Sequence, residues 1–166
     1  MAMMNRVLHS RFLFLPKAPL VSPFLSHGRL TLYDEYKIRS HRILDLTSKK
    51  CVPCDSKDVR PMSEQSANEL LAQVQGWNLL SEDGVMKLHR SWKVKSFTKG
   101  LELFQLVADV AEAEGHHPDL HLVGWNNVKI DIWTHSVGGL TENDFILAAK
   151  INSLHVEHLL RRKAAA

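Results

Sequence analysis

Val85-Met86-Lys87-Leu88-His89-Arg90-Ser91-Trp92-Lys93-Val94 alternates two sets of side chains, with Val85, Lys87, His89 and Ser91 on one side and Met86, Leu88, Arg90 and Trp92 on the other. A period of two over this length predicts a partly buried strand. Directly behind it, Ser96 offers a helix cap. Phe97, Leu101, Phe104, Ala108 and Ala111 then recur at intervals of three and four, widened by Leu103, Val107 and Val110. That switch of period predicts a helix over 97–114, stopped by Gly115. Toward the N-terminus, Glu82-Asp83-Gly84 is a hairpin signal joining the strand to a shorter one over 77–80. Further back, Ser63 caps a helical pattern with Leu70, Leu71 and Val74 on its apolar side, which Gly76 ends.

Toward the C-terminus the pattern repeats in outline. Residues 119–125 read as extended, and Asn126-Asn127 turns the chain. Val128, Ile130, Ile132 and Thr134 then face one way while Lys129, Asp131, Trp133 and His135 face the other. Gly138-Gly139 breaks the strand, and Thr141 with Asp144 resembles a capping box for a last helix running to about Arg161. The apolar residues of that helix cover more than one stripe, so a second subunit is expected to cover part of it. The order is helix-strand-strand-helix-strand-strand-helix. Hairpin-linked pairs predict an α+β fold, a four-stranded antiparallel sheet with three helices packed on one face.

The 166 residues suit one domain plus a tail, and no apolar run approaches the length of a membrane span. The net charge of +3 is unevenly spread: residues 1–50 hold nine basic and three acidic side chains, residues 51–166 twelve and fifteen. The acidic part is the part expected to fold, which argues against nucleic acid as a partner. No acidic residue precedes Asp34, while Arg6, Arg11, Lys17 and Arg29 are interspersed with serines. Residues 1–50 therefore read as an organellar transit peptide and disordered leader, mitochondrial or chloroplastic, the mitochondrion slightly preferred. Residues 51–60 read as a linker whose Cys51 and Cys54 form a CxxC of unstructured, reduced thiols. The folded domain is expected over 61–162.

Chemistry concentrates in Glu112-Ala113-Glu114-Gly115-His116-His117-Pro118-Asp119, followed by Trp125 and by Trp133-Thr134-His135. Two adjacent histidines just past a helix end cannot both point into a core, and Pro118 stiffens the loop that carries them. Paired imidazoles near neutrality suit a reaction that delivers one proton and removes another. Trp125 and Trp133 offer flat walls for an aromatic substrate.

Gly115-His116-His117-Pro118-Asp119, Trp125, Asn127-Val128-Lys129-Ile130, Trp133-Thr134-His135 and Gly139-Leu140-Thr141-Glu142-Asn143-Asp144 resemble, in order and spacing, the signature of the pterin-4a-carbinolamine dehydratase family. The resemblance covers about residues 61–160. It implies a hydro-lyase that dehydrates a 4a-hydroxytetrahydropterin to quinonoid dihydropterin in tetrahydropterin recycling. It implies catalytic roles for His116, His117 and His135, with Asp119 in the pocket; Trp125 and Trp133 are the further substrate contacts expected from their flat indoles. Glu112, Pro118 and Asp144 match signature positions without an assigned role. No cofactor and no metal is expected, the pterin being the substrate. The expected assembly is a homodimer or homotetramer, with an aromatic amino acid hydroxylase in the same pathway. One departure bears on the pocket: better-known animal members have one residue fewer between Pro118 and His135, a tyrosine in place of Trp125, and a small residue in place of Trp133.

Two other readings compete. His116, His117, Asp119 and His121, joined by His135, resemble a metal-ligand cluster, although no spaced pair on a helix anchors it. The resemblance itself also admits a non-catalytic dimeric assembly or binding factor in an organelle. His41, His89, His155 and His158 are expected to be solvated, and His121 to sit at the surface.

Overall fold

A computed structural model describes residues 46–162, except Asp55 and Asp58. The leader reading and the histidine at position 41 therefore fall mostly outside the described residues. Three complete helices and four strands follow in the expected order: α1 (Glu64–Leu71), β1 (Asn78–Glu82), β2 (Val85–Lys93), α2 (Phe97–Glu114), β3 (Asp119–Val123), β4 (Asn127–Ile132) and α3 (Glu142–Asn152). The strands form one antiparallel sheet in the order β1-β2-β4-β3.

Register explains the two faces. Leu88 lies opposite Ile132, Arg90 opposite Ile130 and Trp92 opposite Val128 across β2 and β4, while Leu120 and Leu122 of β3 meet Ile130 and Val128. Leu88, Val128, Ile130 and Ile132 are buried on the helix-covered face. The alternate positions, His89, Asp119, His121, Lys129 and Asp131, share the opposite face and leave it polar.

Each helix starts where a side chain meets a free backbone donor. Ser63 Oγ accepts the Ser66 N–H and Ser96 Oγ the Lys99 N–H. α2 buries Gly100, Leu103, Val107 and Ala111, a narrow stripe at helical spacing. Gly100 allows that stripe to approach β3, since a Cβ there would meet both Leu122 methyl carbons at 3.0 Å.

Three boundaries differ from the sequence reading. α1 ends at Leu71, because the chain tightens into three-residue turns from Gln73 to Leu70 and Val74 to Leu71 before Gly76 (φ +82°). β3 ends at Val123, and Asn127, expected in the turn, already belongs to β4. α3 ends at Asn152, nine residues before Arg161. There the Asn152 side chain accepts from Trp77 Nε1 and the Arg90 guanidinium and donates to the Gln75 carbonyl. The chain beyond it turns and pairs with the end of β2: Lys95 N–H donates to Leu159 O at 3.0 Å and Arg161 N–H to Lys93 O at 2.8 Å.

α3 also corrects the expectation that a second subunit must cover it. Phe145 to Ala149 and Ile151 are buried within this one chain. The sheet and α2 take part of that surface; residues 46–62 take more. Leu46 belongs to the core, Cys51 and Met62 pack against it, and Met62 N–H donates to Leu140 O at 2.7 Å. A helix apolar on all sides is buried on all sides. Among the described residues, no helix is long and apolar enough to cross a membrane.

Candidate active site

Gly115 closes α2 in the left-handed conformation (φ 63°), its N–H bonded back to Ala111 and Glu112. Only a residue without a Cβ adopts that turn freely, and it sends the next residues off the helix axis. His116 N–H still bonds Ala111 O at 3.1 Å, which aims its side chain inward. The ring is 3% exposed, and its Nε2 lies 2.6 Å from Asp144 Oδ1.

Asp144 has no exposed surface and sits in the first turn of α3. Its Oδ2 accepts the Thr141 backbone N–H at 2.6 Å, the Thr134 hydroxyl at 3.0 Å and the Thr141 hydroxyl at 3.3 Å. The capping residue of the helix is therefore also the histidine's partner. An acceptor-only carboxylate requires the proton on Nε2, which makes Nδ1 the other functional nitrogen of His116.

The second histidine turns outward. His117 is exposed, and its Nε2 lies 3.1 Å from Glu112 Oε1, one and a half turns back on α2. Pro118 then leads into β3, where Asp119 faces the open side of the sheet. Asp119 holds two groups that return on the other arm of the hairpin: Trp133 Nε1 donates to Oδ2 at 2.8 Å, and His135 Nε2 lies 3.3 Å from Oδ1. The His135 and Trp133 rings stack edge-on at 4.3 Å, with Lys87 Nζ 5.3 Å above the tryptophan. Lys87 is raised above the ordinary lysine range, first by its hydrogen bond to Glu82 and less by Asp131 and Asp119. A cleft of about 240 Å³ opens beside these groups, lined by Lys87, Asp119, His121, Lys129 and Asp131 among others.

Three of the expected residues thus have a carboxylate behind an imidazole: His116 with Asp144, His117 with Glu112, and His135 with Asp119. Trp125 is not brought to them within this chain. It lies 57% exposed in the β3–β4 turn at φ 66°, past the end of β3, whose four steps from Asp119 to Val123 span about 13 Å. His121 pairs with Asp131 at 3.4 Å, and so does His89 at 2.6 Å, so His89 is half-buried and paired where solvation was expected. His155 and His158 are exposed. Among the described residues, no three His, Cys, Asp or Glu side chains are placed to hold one metal ion.

The sequence gives no site role to Cys54, Asn143 and Thr134, which it names within the CxxC and the signature, and does not point to Ser136. Residues 49–54 are not a free linker but a strap across the start of α3. Lys49 pairs with Glu142, Lys50 with Glu114, and the Asn143 side-chain amide bonds Val52 through both N–H and C=O. Cys54 Sγ lies 3.2 Å from His116 Nδ1, and Ser136 Oγ donates to the Cys54 carbonyl at 2.6 Å. Burial works against the Glu114 carboxylate, yet hydrogen bonds from Lys150, Lys50 and the Cys51 N–H outweigh it and hold the group down at about 2. Contacts 62 to 93 residues apart in the chain carry no local pattern that could have announced them.

The model of the family described as pterin 4 alpha carbinolamine dehydratase matches residues 60–154. The chain belongs to that family. Its match to the Arabidopsis thaliana protein named "Pterin-4-alpha-carbinolamine dehydratase 2, mitochondrial" is 70% identical over 124 residues, 75% of this chain and 66% of the relative. A second Arabidopsis thaliana protein, named "Probable pterin-4-alpha-carbinolamine dehydratase, chloroplastic", is 41% identical over 74% of this chain and 56% of its own length. The matches therefore span just under two thirds and just over half of these plant relatives. A 124-residue match within 166 residues must include residues 43–124, and with them the strap. A solved structure titled as a transcriptional coactivator/pterin dehydratase from Brucella melitensis aligns with a TM-score of 0.50 at 33% identity, over 57% of this chain and 97% of the other. The two plant names make this an organellar member of the dehydratase family, with the mitochondrion ahead of the plastid.

Proposed function

We propose that the chain dehydrates a 4a-hydroxytetrahydropterin to quinonoid dihydropterin by histidine acid/base catalysis, within tetrahydropterin recycling. The observation that carries this reading is the set of three imidazoles, each backed by a carboxylate through Nε2. A carboxylate behind an imidazole orients the ring and fixes which nitrogen carries the proton, the arrangement that directed proton donation and acceptance require. One imidazolium protonates the 4a-hydroxyl as the C4a–O bond breaks and water leaves. The N5 lone pair assists, and a neutral imidazole takes the N5 proton. His135 and His116 are the candidates for the two ends of that transfer, their carboxylates being fixed by Trp133 and by Thr134 and Thr141. His117, exposed, exchanges protons with solvent. Asp119 and Trp133 form the wall on which the pterin ring lies.

The substrate is supplied by an aromatic amino acid hydroxylase, and the working unit is a homodimer or homotetramer. Phe97, Leu101, Val123 and Trp125, all about half exposed, support self-association. They gather at one end of the domain, because Gly100 packs on Leu122 and Val94 N–H bonds Asn126 O.

The test is dehydration of 4a-hydroxytetrahydropterin, generated by a hydroxylase, by the full chain and its His116→Ala and His135→Ala variants. Quinonoid formation above the spontaneous rate, reduced about a hundredfold or more in either variant, is expected. A wild-type rate equal to the spontaneous one would overturn the reading in favour of an assembly factor.

A further inference from the structure

His116 has no nitrogen left for a ligand while the strap is docked. Nε2 is held by Asp144, and Nδ1 is covered by the Cys54 thiol at 3.2 Å. The ring is almost wholly buried, so no third approach exists. Cys54 is also fixed through its backbone, the Ser136 hydroxyl donating to its carbonyl one residue beyond His135. Its neighbour in the CxxC, Cys51, packs against the core with Sγ 3.6 Å from the Asn143 carbonyl, and both thiols are free.

We propose that Cys51 and Cys54 are a dithiol–disulfide couple, a modification site whose oxidation releases the strap of residues 49–54 from His116. This rests on His116 being part of the dehydratase site. In the reduced state the S–H of Cys54 caps Nδ1 and the site is closed. In the disulfide state the sulfur has no proton to donate, so the cap is lost by composition, whatever the geometry adopted. The side chain must also turn from the imidazole toward Cys51 to reach the S–S distance of about 2.05 Å.

The oxidant is a low-molecular-weight disulfide, RSSR. Cys54, next to an imidazole nitrogen that can take its proton, attacks one sulfur of RSSR and expels RS⁻. Cys51 then loses its proton and attacks the Cys54 sulfur, expelling the second RS⁻. The two cysteines lose two electrons and two protons, and RSSR becomes two RSH. The order follows from burial. Desolvation, with Glu114 adding, pushes the Cys51 thiol up to about 12, so Cys51 reacts second, once the strap has begun to lift.

A capped nitrogen reduces apparent affinity in proportion to the closed fraction. One net hydrogen bond holding that fraction corresponds to about a fivefold change.

The experiment equilibrates the full chain with glutathione buffers from fully reduced to fully oxidised. Mass spectrometry distinguishes the internal disulfide from a glutathione adduct. Two readings follow on the same samples: the rate of tryptic cleavage after Lys49 and Lys50, and kcat/KM. The expected result is an internal Cys51–Cys54 disulfide, cleavage about tenfold faster, and kcat/KM raised about fivefold. Cys54→Ala should show the raised kcat/KM without oxidant, and Cys54→Ser, which restores a donor, should not. An adduct without the internal disulfide would overturn the couple. A disulfide that leaves cleavage unchanged would overturn strap release, and a fall in kcat/KM would overturn the docked strap as the closed state. A chain without dehydratase rate in either redox state refutes the proposed function instead, and cleavage alone then decides whether the strap moves.

Discussion

Asp144→Asn tests the centre of the site, because one carboxylate both caps α3 and holds His116. The substitution keeps the shape and removes the charge and one acceptor. If the amide oxygen stays on the Thr141 N–H and the Thr134 hydroxyl, at 2.6 and 3.0 Å in the wild type, the amide NH₂ faces His116 Nε2. That nitrogen must then give up its proton and accept, so the proton moves to Nδ1 and confronts the Cys54 S–H. If the amide turns the other way, the helix loses its cap instead. A buried hydrogen bond to a charged group is worth about 1.5–3 kcal/mol, and a lost cap about 0.5–2 kcal/mol. Because either orientation loses only one of the two, the expected cost is about 0.5–3 kcal/mol, read from urea unfolding followed by tryptophan fluorescence. The wrong tautomer at His116 should also lower kcat for dehydration by about 10²-fold or more. Thr134→Val is the control, since it removes one donor to Asp144 and leaves the His116 contact: about 1 kcal/mol lost and kcat within threefold. An Asp144→Asn protein as stable as wild type, with kcat within tenfold, would refute the claim that this carboxylate orients His116.

Glu114 ties the strap and α3 to the end of α2. Its folded value of about 2 lies below the ordinary 4.5, so it adds stability above pH 4.5 that is lost as pH falls toward 2. Glu114→Gln should flatten the pH dependence of the unfolding midpoint in that window; identical slopes for the two proteins would contradict the assignment. Trp125→Ala should leave KM within twofold, given its distance from Asp119, and a fivefold rise would place the indole at the pocket. Phe145→Ala, at a side chain with no exposed surface, should cost about 3–5 kcal/mol in urea unfolding. A cost under 1 kcal/mol would mean that α3 is not central to the core.

Local patterns carried much of the architecture. The alternation in β2, the Asp83-Gly84 turn and the apolar stripe of α2 depend on neighbours within a few residues, and each is where periodicity put it. The histidine pair was legible for the same reason, Gly115 and Pro118 marking a helix end and a stiff loop. Asp144 stood out as a signature position, but its role as the partner of His116 needed the 28-residue span between them to close in space. The end of α3 is not legible locally, because Val156 and Leu159 continue a helical spacing past Asn152. What stops the helix is Asn152 binding Trp77 and Arg90, 75 and 62 residues away.

Secondary structure, strand pairing by hairpins and the chemical kind of the site follow from side-chain period and residue type, which act over one or two turns of chain. Tertiary structure alone decided which carboxylate stands behind which imidazole, that Trp125 lies at the far end of the hairpin, and that the CxxC strap covers α3 and His116. Those outcomes depend on which buried polar groups find partners at long range, and satisfying them is a condition on the whole fold rather than on any segment.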